Sequence, residues 1–431
     1  MPKSVLIVGC GVFGLSTALE LLEQGYTVTA IDRYKPPSPW SAACDYNKII
    51  RAEYTDLKYS RLAIEAMQGW RHHPLFKPVY NECGRLMITP SYHTGRQKFE
   101  ALGIRNLHFL GEGKKIEYFH GGFDVASHFK HFRENHIQSN ENSKFNPESG
   151  LGHAGDSLKV LYERCKELGC EFVFGEDGEA KELKIVEGRT CVVTKSGLVF
   201  KADQVLVAMG ANSGKLVDLN HQQSATGLFV THIKLTPEEH EFYKDLPILF
   251  DAEMGYFFPP DPRTRILKVA LPGSGASNNV INPHDTSDIL SLPRFHNLNP
   301  TDTMPKSFVK KAKLLLAKYV PNLSYHELFD SKVCWIADTQ DSDFIIDKVP
   351  GFNGLYVATG DSGHAYKFLP IIGKYIVQRL DGSLSREWSK AWRWKNVSGE
   401  FDPTQCEWRV VDDFPDLSSI DWALENSKSK L

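Results

Sequence analysis

The sequence predicts an α/β protein whose N-terminal part is a parallel sheet covered by helices, and three observations carry this prediction. The first is a continuous apolar strand, Val5–Val8, followed at once by a GxGxxG run. Four uninterrupted apolar residues are typical of a strand buried on both faces. The second is a helix with apolar residues at helical spacing, which ends at Gly25. The third is another apolar run that ends at Asp32, at the spacing of a βαβ unit.

Each glycine of this run has a separate physical task. Gly9 permits the tight turn after the strand, Gly11 leaves room for a pyrophosphate, and Gly14 lets the helix pack closely on the strand. The helix points its positive N-terminal end at the phosphates, and Asp32 can accept both hydroxyls of an adenosine ribose. The pattern therefore indicates a site for NAD or FAD, without distinguishing them, against the alternative of a glycine-rich loop that binds nothing.

Length and composition limit the classes of function. The 431 residues suggest about two domains, and 50 basic against 53 acidic residues give a net charge of -3 with no basic stripe, so we expect no nucleic-acid partner. No run approaches the roughly 20 apolar residues that cross a bilayer, and no signal peptide precedes the first strand, so we expect a soluble, non-secreted protein with no membrane partner. The eight cysteines show no zinc-like spacing, which predicts reduced thiols and no metal site.

The C-terminal tripeptide Ser429-Lys430-Leu431 matches the peroxisomal address, which an import receptor reads at a free C-terminus. We therefore expect the peroxisomal matrix as the location and this receptor as a partner.

Two later segments repeat the pattern of a buried strand that ends on glycine. They are residues 204–210, which end at Gly210, and residues 354–361, which end at Gly360-Asp361. Alternating strands and a helix at residues 306–320 lie between them and predict a different domain. Three returns to one nucleotide-binding domain are the layout of FAD oxidases rather than of NAD dehydrogenases. We therefore predict a Rossmann-type FAD-binding domain of the glutathione-reductase-like type, interleaved with an α+β, mixed-sheet substrate domain. The predicted bounds are 1–90, 150–221 and 329–431 for the FAD domain, and 91–149 and 222–328 for the substrate domain.

Four segments together resemble the monomeric sarcosine oxidase family of FAD amine oxidases. They are the GxGxxG run, Asn47-Lys48-Ile49-Ile50-Arg51, the KVCWIADT run at residues 332–339 and the GDSGHAYKFLP run at residues 360–370. Within the family they are most similar to the fungal branch of fructosyl amino acid, L-pipecolate and L-saccharopine oxidases.

The resemblance implies that Cys334 forms a thioether with the 8α-methyl group of FAD, since a thiolate can attack the electrophilic form of that methyl group. The alternative is an ordinary buried cysteine. The GxGxxG run and the resemblance together predict the residues that contact FAD: Gly9, Gly11, Val12, Phe13, Gly14, Asp32, Arg33, Ser41, Lys48, Gly210, Cys334, Asp361, Ser362, Gly363 and Lys367.

The resemblance also implies roles at the substrate. Arg51 holds the substrate carboxylate in a bidentate pair, Lys367 is the second cation on it, and Lys48 lies beside the flavin. The alternative for Arg51 and Lys367 is a solvated surface position. His364 lies near the flavin or is a packed core histidine. Lys268 stands on an otherwise apolar strand, where a buried cation is costly unless it has a function or a partner, and the resemblance makes it the oxygen-activating lysine. Its alternative is an outward-facing strand lysine.

One departure from the family bears on the substrate. Fructosyl amino acid oxidases carry a glutamate in a Phe-Phe-Glu-Pro-Asp run, and this chain has Pro259 at that position. L-Saccharopine, with three carboxylates and no sugar hydroxyls, is therefore the favoured substrate, with Arg263, Arg265 and Arg409 as candidates for its further carboxylates. The expected reaction converts L-saccharopine, O2 and water into L-glutamate, 2-aminoadipate 6-semialdehyde and H2O2.

Other readings stay open. A fructosyl amino acid oxidase or an L-pipecolate oxidase is the alternative, and a flavin dehydrogenase or non-enzymatic flavoprotein that does not use O2 is a remoter one. No catalytic carboxylate is predicted, because an amine that binds deprotonated needs no base.

Overall fold

The structure is a computed structural model that describes residues 3–54, 56–88, 116–138, 140–296, 298–395 and 414–423. Arg409 and the tripeptide at 429–431 lie outside these ranges. The strands in chain order are β1 (Ser4–Val8), β2 (Thr27–Ile31), β3 (Lys48–Ile50), β4 (Tyr80–Asn81), β5 (Arg85–Ile88), β6 (Glu117–His120), β7 (Asn142–Asn146), β8 (Gly150–Gly152), β9 (Glu171–Val173), β10 (Ala180–Val186), β11 (Arg189–Thr194), β12 (Val199–Lys201), β13 (Gln204–Val207), β14 (Ser224–Lys234), β15 (Ile248–Asp251), β16 (Gly255–Phe257), β17 (Ile266–Ala276), β18 (Asn279–Ile281), β19 (Ile289–Ser291), β20 (Phe329–Asp338), β21 (Ile345–Lys348) and β22 (Leu355–Thr359).

The α-helices of the described ranges alternate with these strands in the N-terminal part. They are α1 (Val12–Glu23), α2 (Leu57–His72), α3 (Gly121–His128), α4 (Ala154–Glu167), α5 (Ser213–Leu216), α6 (Pro237–Tyr243), α7 (Lys306–Tyr319), α8 (Ile372–Asp381) and α9 (Arg386–Ala391). None of the helices that the structure describes is long and apolar enough to cross a bilayer.

The first sheet is the predicted nucleotide-binding sheet. Its six strands run in the order β21-β22-β13-β1-β2-β9, and all neighbours are parallel except the edge pair β21–β22. Strand β1 lies in the middle, where Val5 pairs with Val28 on one side and with Gln204 on the other. Helix α1 packs on this sheet together with α4 and α8. The sheet joins three separated stretches of the chain, which confirms the predicted Rossmann-type α/β fold.

The second sheet has eight strands in the order β20-β14-β17-β16-β15-β5-β7-β6. Its neighbours are antiparallel except β15–β5, so the predicted mixed sheet is confirmed. Strands β5 and β20 belong to it, although both stretches fall within the residues predicted for the FAD domain. The predicted domain bounds themselves stay a prediction.

The two faces of the eight-stranded sheet differ in chemistry because side chains alternate along each strand. One face is apolar and packs on helix α7, with Leu249, Phe257, Leu267 and Val269 fully buried there. The opposite face carries cations and aromatic rings, and the site described next is built on it.

Candidate active site

The glycine turn after β1 leaves a cradle at the N-terminus of helix α1. Gly9 has φ +105°, and a Cβ there would lie 2.5 Å from the Ala208 carbonyl oxygen. A Cβ on Gly14 would lie 1.9 Å from the carbonyl oxygen of Gly9, so close packing excludes any side chain at both positions. At Gly11, in contrast, the nearest atom to such a Cβ is Ser41 Oγ at 3.9 Å. The N-cap Gly11 makes no side-chain hydrogen bond to this helix, so the N–H groups of its first turn, those of Val12 and Phe13 among them, are left for a ligand such as a pyrophosphate.

Asp32 directly follows β2 beside this cradle. Its Oδ2 accepts a hydrogen bond from the Cys10 N–H at 2.7 Å, and its Oδ1 accepts one from the Tyr34 N–H at 3.0 Å. Burial raises the pKa of this carboxyl group against the effect of those bonds. The carboxylate is therefore held rigidly at the strand end where a ribose would lie. Arg33 lies next to it, with Nε 3.5 Å from Glu179 Oε2.

After β22, where the chain returns to the six-stranded sheet for the third time, it forms a tight turn, three of whose residues have positive φ angles. Gly360, Ser362 and Gly363 have φ values of +76°, +41° and +73°. Asp361 closes this turn, because its two carboxylate oxygens accept the N–H groups of Ala337 and Gly363, each at 2.9 Å. The Ala337 bond fastens the turn to β20, while Thr359 donates to the Gly210 carbonyl oxygen at 3.0 Å and so joins the ends of β22 and β13.

Cys334 lies on β20, on the cation-bearing face of the eight-stranded sheet, with 9% of its area exposed. Its Sγ lies 3.9 Å from Lys48 Nζ and 3.6 Å from the Ala42 carbonyl oxygen. The sulfur of Cys334 therefore lies beside the ammonium group of Lys48.

Asp45 joins two of the predicted lysines. Its Oδ2 lies 2.7 Å from Lys48 Nζ and 2.5 Å from Lys268 Nζ, and its side chain is buried. Burial opposes ionisation of Asp45, but the charges of Lys268 and Lys48 outweigh it and hold its pKa well below the usual range. Asp45 also raises the pKa of Lys48 despite burial. Sequence reasoning missed Asp45, whose only signal is a carboxylate two residues before the Asn47–Arg51 segment.

Lys268 points inward, so the outward-facing alternative is wrong. It is 1% exposed, donates to the Asn47 carbonyl oxygen at 3.0 Å, and has its ammonium 5.1 Å from the centroid of the Phe258 ring. Burial lowers its pKa to about 8, against the attraction of Asp45.

Arg51 and Lys367 meet on the ring of Tyr54. The Arg51 guanidinium lies 4.5 Å and the Lys367 ammonium 5.2 Å from the centroid of that ring. Arg51 also donates to the Glu53 carbonyl oxygen, and Lys367 donates to the His364 carbonyl oxygen at 2.8 Å. Within the described ranges neither cation has a carboxylate within 4.0 Å. Burial and the charge of Arg51 lower the pKa of Lys367 well below its usual value, as expected for a cation that awaits an anion.

His364 is a packed histidine that supports Tyr54. Its Nε2 lies 2.9 Å from the Ser342 carbonyl oxygen, which can only accept, so Nε2 carries the proton and Nδ1 accepts from the Tyr54 hydroxyl at 3.0 Å. Its ring stacks on Phe344 with centroids 4.8 Å apart, and burial lowers its pKa well below 6.5. The structure therefore favours the packing alternative over direct catalysis.

Of the three candidates for further carboxylates, the two that the structure describes, Arg263 and Arg265, lie in a turn away from this site. Arg263 is a surface residue whose Nη2 lies 2.6 Å from Asp156 Oδ2, and its side chain is 64% exposed. Arg265 lies in the same turn with φ +60°, its N–H donating to the Asp261 carbonyl oxygen.

Two buried cations that sequence reasoning missed lie beside Arg51 instead. Arg85 Nη2 lies 2.5 Å from Glu53 Oε2, and Lys144 Nζ lies 3.3 Å from Glu53 Oε1. Their signal in the sequence is a basic residue within a short strand that has a buried face.

Comparison with known proteins identifies the family of the chain. A family model for FAD dependent oxidoreductases matches residues 4–379. L-Saccharopine oxidase of Schizosaccharomyces pombe is 39% identical, with 99% of this chain and 100% of that protein covered. Monomeric sarcosine oxidase of a Bacillus species is 23% identical, with 87% and 92% covered.

A solved structure, the fructosyl peptide oxidase from E. terrenum, superposes with a TM-score of 0.89 at 30% identity, with 98% of each chain covered. The open cradle at Gly11 and the rigid Asp32 fit the adenine dinucleotide that this family binds. The resemblance to sarcosine oxidases is confirmed, and the chain belongs to the DAO family of FAD-dependent oxidoreductases, among its amine and amino acid oxidases.

Proposed function

We propose that this chain oxidises L-saccharopine with O2 and water to L-glutamate, 2-aminoadipate 6-semialdehyde and H2O2, and so acts in lysine metabolism. The observation that carries this proposal is the charge of the site. Four buried or half-buried cations lie together: Arg85 and Lys144 pair with the carboxylate of Glu53, and Arg51 and Lys367 meet on the neighbouring ring of Tyr54. Such an excess of positive charge suits a substrate with several carboxylates. The 39% identity to L-saccharopine oxidase supports the same choice.

Substrates with a single carboxylate suit this site less well. L-Pipecolate offers one carboxylate to four cations. A fructosyl amino acid offers sugar hydroxyls, and the proline at position 259 removes the glutamate that the fructosyl amino acid oxidases use. The structural similarity to fructosyl peptide oxidases keeps this activity as the second candidate.

The chain's own residues position the substrate. Arg51 and Lys367 hold one carboxylate against the ring of Tyr54. Nδ1 of His364 accepts a hydrogen bond from the Tyr54 hydroxyl and so fixes the position of that ring. When bound, FAD accepts the two electrons of the amine and delivers them to O2. Lys268 keeps a fixed positive charge, anchored by Asp45, where oxygen becomes anionic. Orientation and this charge supply most of what the protein adds.

We also propose that Cys334 carries FAD covalently. The position of its sulfur, 3.9 Å from Nζ of Lys48, supports this proposal, because the family resemblance places both residues beside the flavin. The thioether would replace the thiol hydrogen and one hydrogen of the 8α-methyl group, with O2 taking up both hydrogens and their two electrons as H2O2.

A peroxisomal location completes the proposal. The Ser429-Lys430-Leu431 tripeptide supports it, through recognition by the import receptor, and a product such as H2O2 suits a compartment that holds catalase.

Anaerobic bleaching of the flavin with L-saccharopine, L-pipecolate and a fructosyl amino acid, each in turn, tests the substrate. We expect saccharopine to bleach the flavin fastest, and glutamate and the semialdehyde to appear in equal amounts after air is admitted. Faster bleaching by the fructosyl amino acid would move the activity to the deglycating class.

A further inference from the structure

Arg85 and Lys144 lie on one face of the eight-stranded sheet. Strand β5 pairs with β7 so that Arg85 faces Asn146 and Met87 faces Lys144. Cross-strand partners share a face, and so do residues two apart along a strand. Arg85 and Lys144 are therefore diagonal neighbours on that face.

The same face leads across the sheet to Lys268. Met87 pairs with Phe250, Phe250 with Tyr256, and Tyr256 with Ala270, which is two residues from Lys268. The rings of Phe250 and Tyr256 stack with centroids 5.4 Å apart and form a floor between the two ends. Strands β17 and β5 are three spacings apart, or roughly 14 Å at about 4.8 Å per spacing. An extended substrate could therefore react near Lys268 and still reach Arg85.

Arg85 keeps unused binding capacity. It is 3% exposed, and its Nη2 pairs with Glu53, but its Nε is buried and meets no acceptor among the residues that the structure describes. Its guanidinium also lies 5.9 Å from the centroid of the Phe250 ring, at the end of the aromatic floor. A buried donor without a partner is costly, so an anionic ligand at this position would stabilise the site.

Glu53 alone does not balance the charge around it. Its carboxylate pairs with Arg85 and Lys144, and its carbonyl oxygen accepts from Arg51. Arg51 and Lys367 are the predicted ligands of the first carboxylate. A second carboxylate would therefore meet Arg85, whose buried Nε has no acceptor among the described residues, with Lys144 beside it on the other oxygen of Glu53.

We propose that Arg85, supported by Lys144, binds a second carboxylate of the substrate, remote from the one on Arg51 and Lys367, and that this subsite selects amines with two or more carboxylates. Glu53 is the positioning residue that orients the Arg85 fork. The proposal rests on the proposed amine oxidase function. It names the residues that would cause the preference for amines with two or more carboxylates.

Binding of simple acids to the holoenzyme tests the subsite without turnover. The probes are α,ω-dicarboxylates of four to seven carbons, each compared with the monocarboxylate of the same length, and the readout is the perturbation of the flavin absorption spectrum. We expect one dicarboxylate length to bind about 10- to 100-fold more tightly than its monocarboxylate, as one charge-assisted bidentate pair provides. Equal affinities at every length would overturn the proposal.

Variants then test whether Arg85 causes the preference for dicarboxylates over monocarboxylates. Arg85→Met should abolish it, and Arg85→Lys should keep a part of it, since the charge remains and the fork is lost. Arg263→Met is the matched control, because it removes the same group from the surface pair with Asp156. If Arg85→Met does not fold, Glu53→Gln combined with Arg85→Met removes both buried charges and is measured instead. A dicarboxylate preference that survives in the variant that folds contradicts the assignment.

Turnover separates this proposal from the one on which it rests. In Arg85→Met we expect KM for saccharopine to rise about 10- to 100-fold with a smaller change in kcat, since the group binds far from the reacting carbon. If the wild-type enzyme does not oxidise saccharopine but keeps the dicarboxylate preference, the proposed substrate is wrong and the subsite stands. If it oxidises saccharopine without that preference, the subsite is wrong and the substrate stands.

Discussion

The ammonium group of Lys268 lies 2.5 Å from the carboxylate of Asp45, and both side chains are 1% exposed. The two residues are 223 positions apart in the chain. The same Asp45 oxygen holds Lys48, which lies beside Cys334. One buried carboxylate therefore links the residue proposed for oxygen activation with the residue proposed for flavin attachment.

Removal of the Lys268 charge should separate the two halves of the reaction. In Lys268→Met we expect reoxidation of the reduced flavin to slow by at least about 100-fold, while anaerobic reduction by substrate stays near normal. Stopped-flow absorbance measures both rates. Lys234→Met, which removes an exposed lysine from β14 of the same sheet, is the control. Unchanged reoxidation in Lys268→Met would reject the oxygen role.

Reoxidation should also depend on pH. Burial lowers the pKa of Lys268 to about 8, so its positive charge is present below that pH and is lost above it. The oxygen reaction should therefore fall as the pH rises through about 8. Asp45→Asn removes the attraction that supports the charged form, while Lys48 still repels it, so the fall should move to lower pH. A profile that does not move in Asp45→Asn would show that Asp45 does not set this charge.

Covalent attachment is tested by acid precipitation. The yellow colour should stay with the precipitated wild-type protein and pass into the supernatant for Cys334→Ala. Cys44→Ala is the control, because this neighbouring free cysteine should leave the link intact. Release of FAD from the wild-type protein would contradict the thioether.

The glycine turn predicts two different defects. Gly14→Ala places a Cβ 1.9 Å from the Gly9 carbonyl oxygen, and we expect it to cost about 2 kcal/mol of folding free energy or more. Gly11→Ala meets nothing nearer than 3.9 Å, so the chain should fold but bind FAD weakly. Thermal unfolding and the ratio of flavin to protein in the purified variants distinguish the two. Equal stability loss in both variants would show that the cradle is not open space.

The proposed location depends on the last three residues. A fusion with a fluorescent protein at the N-terminus should enter peroxisomes, and deletion of Ser429-Lys430-Leu431 should leave it in the cytosol. Replacement of Glu425, Asn426 and Ser427 by alanine keeps the tripeptide and serves as the control. Import without the tripeptide would require another signal.

Local patterns predicted the parts of the fold that depend on neighbours in sequence. The turn at Gly9–Gly14 and the acid at Asp32 follow from short-range geometry, and helix α7 ends within one residue of its predicted end. Leu314 of that helix is 50% exposed although it begins a run of three leucines, because three consecutive residues of a helix cannot all face the core.

The electrostatic partners could not be predicted in this way. Asp45 meets Lys268, and Glu53 meets Arg85 and Lys144, only after two sheets have formed and docked. The position of a buried carboxylate in the sequence does not indicate which residue of a distant strand it pairs with. Arg263 was a candidate for a further carboxylate because it is basic, and its exposure became visible only with the fold.

The order of strands in the eight-stranded sheet has a consequence for redesign. Cys334 belongs to one margin of that sheet, and Arg85 and Lys144 belong to the opposite flank. The proposed carboxylate subsite on β5 and β7 could thus be altered while the proposed flavin attachment at Cys334 on β20 is left untouched, which would suit this scaffold to new amine sensors.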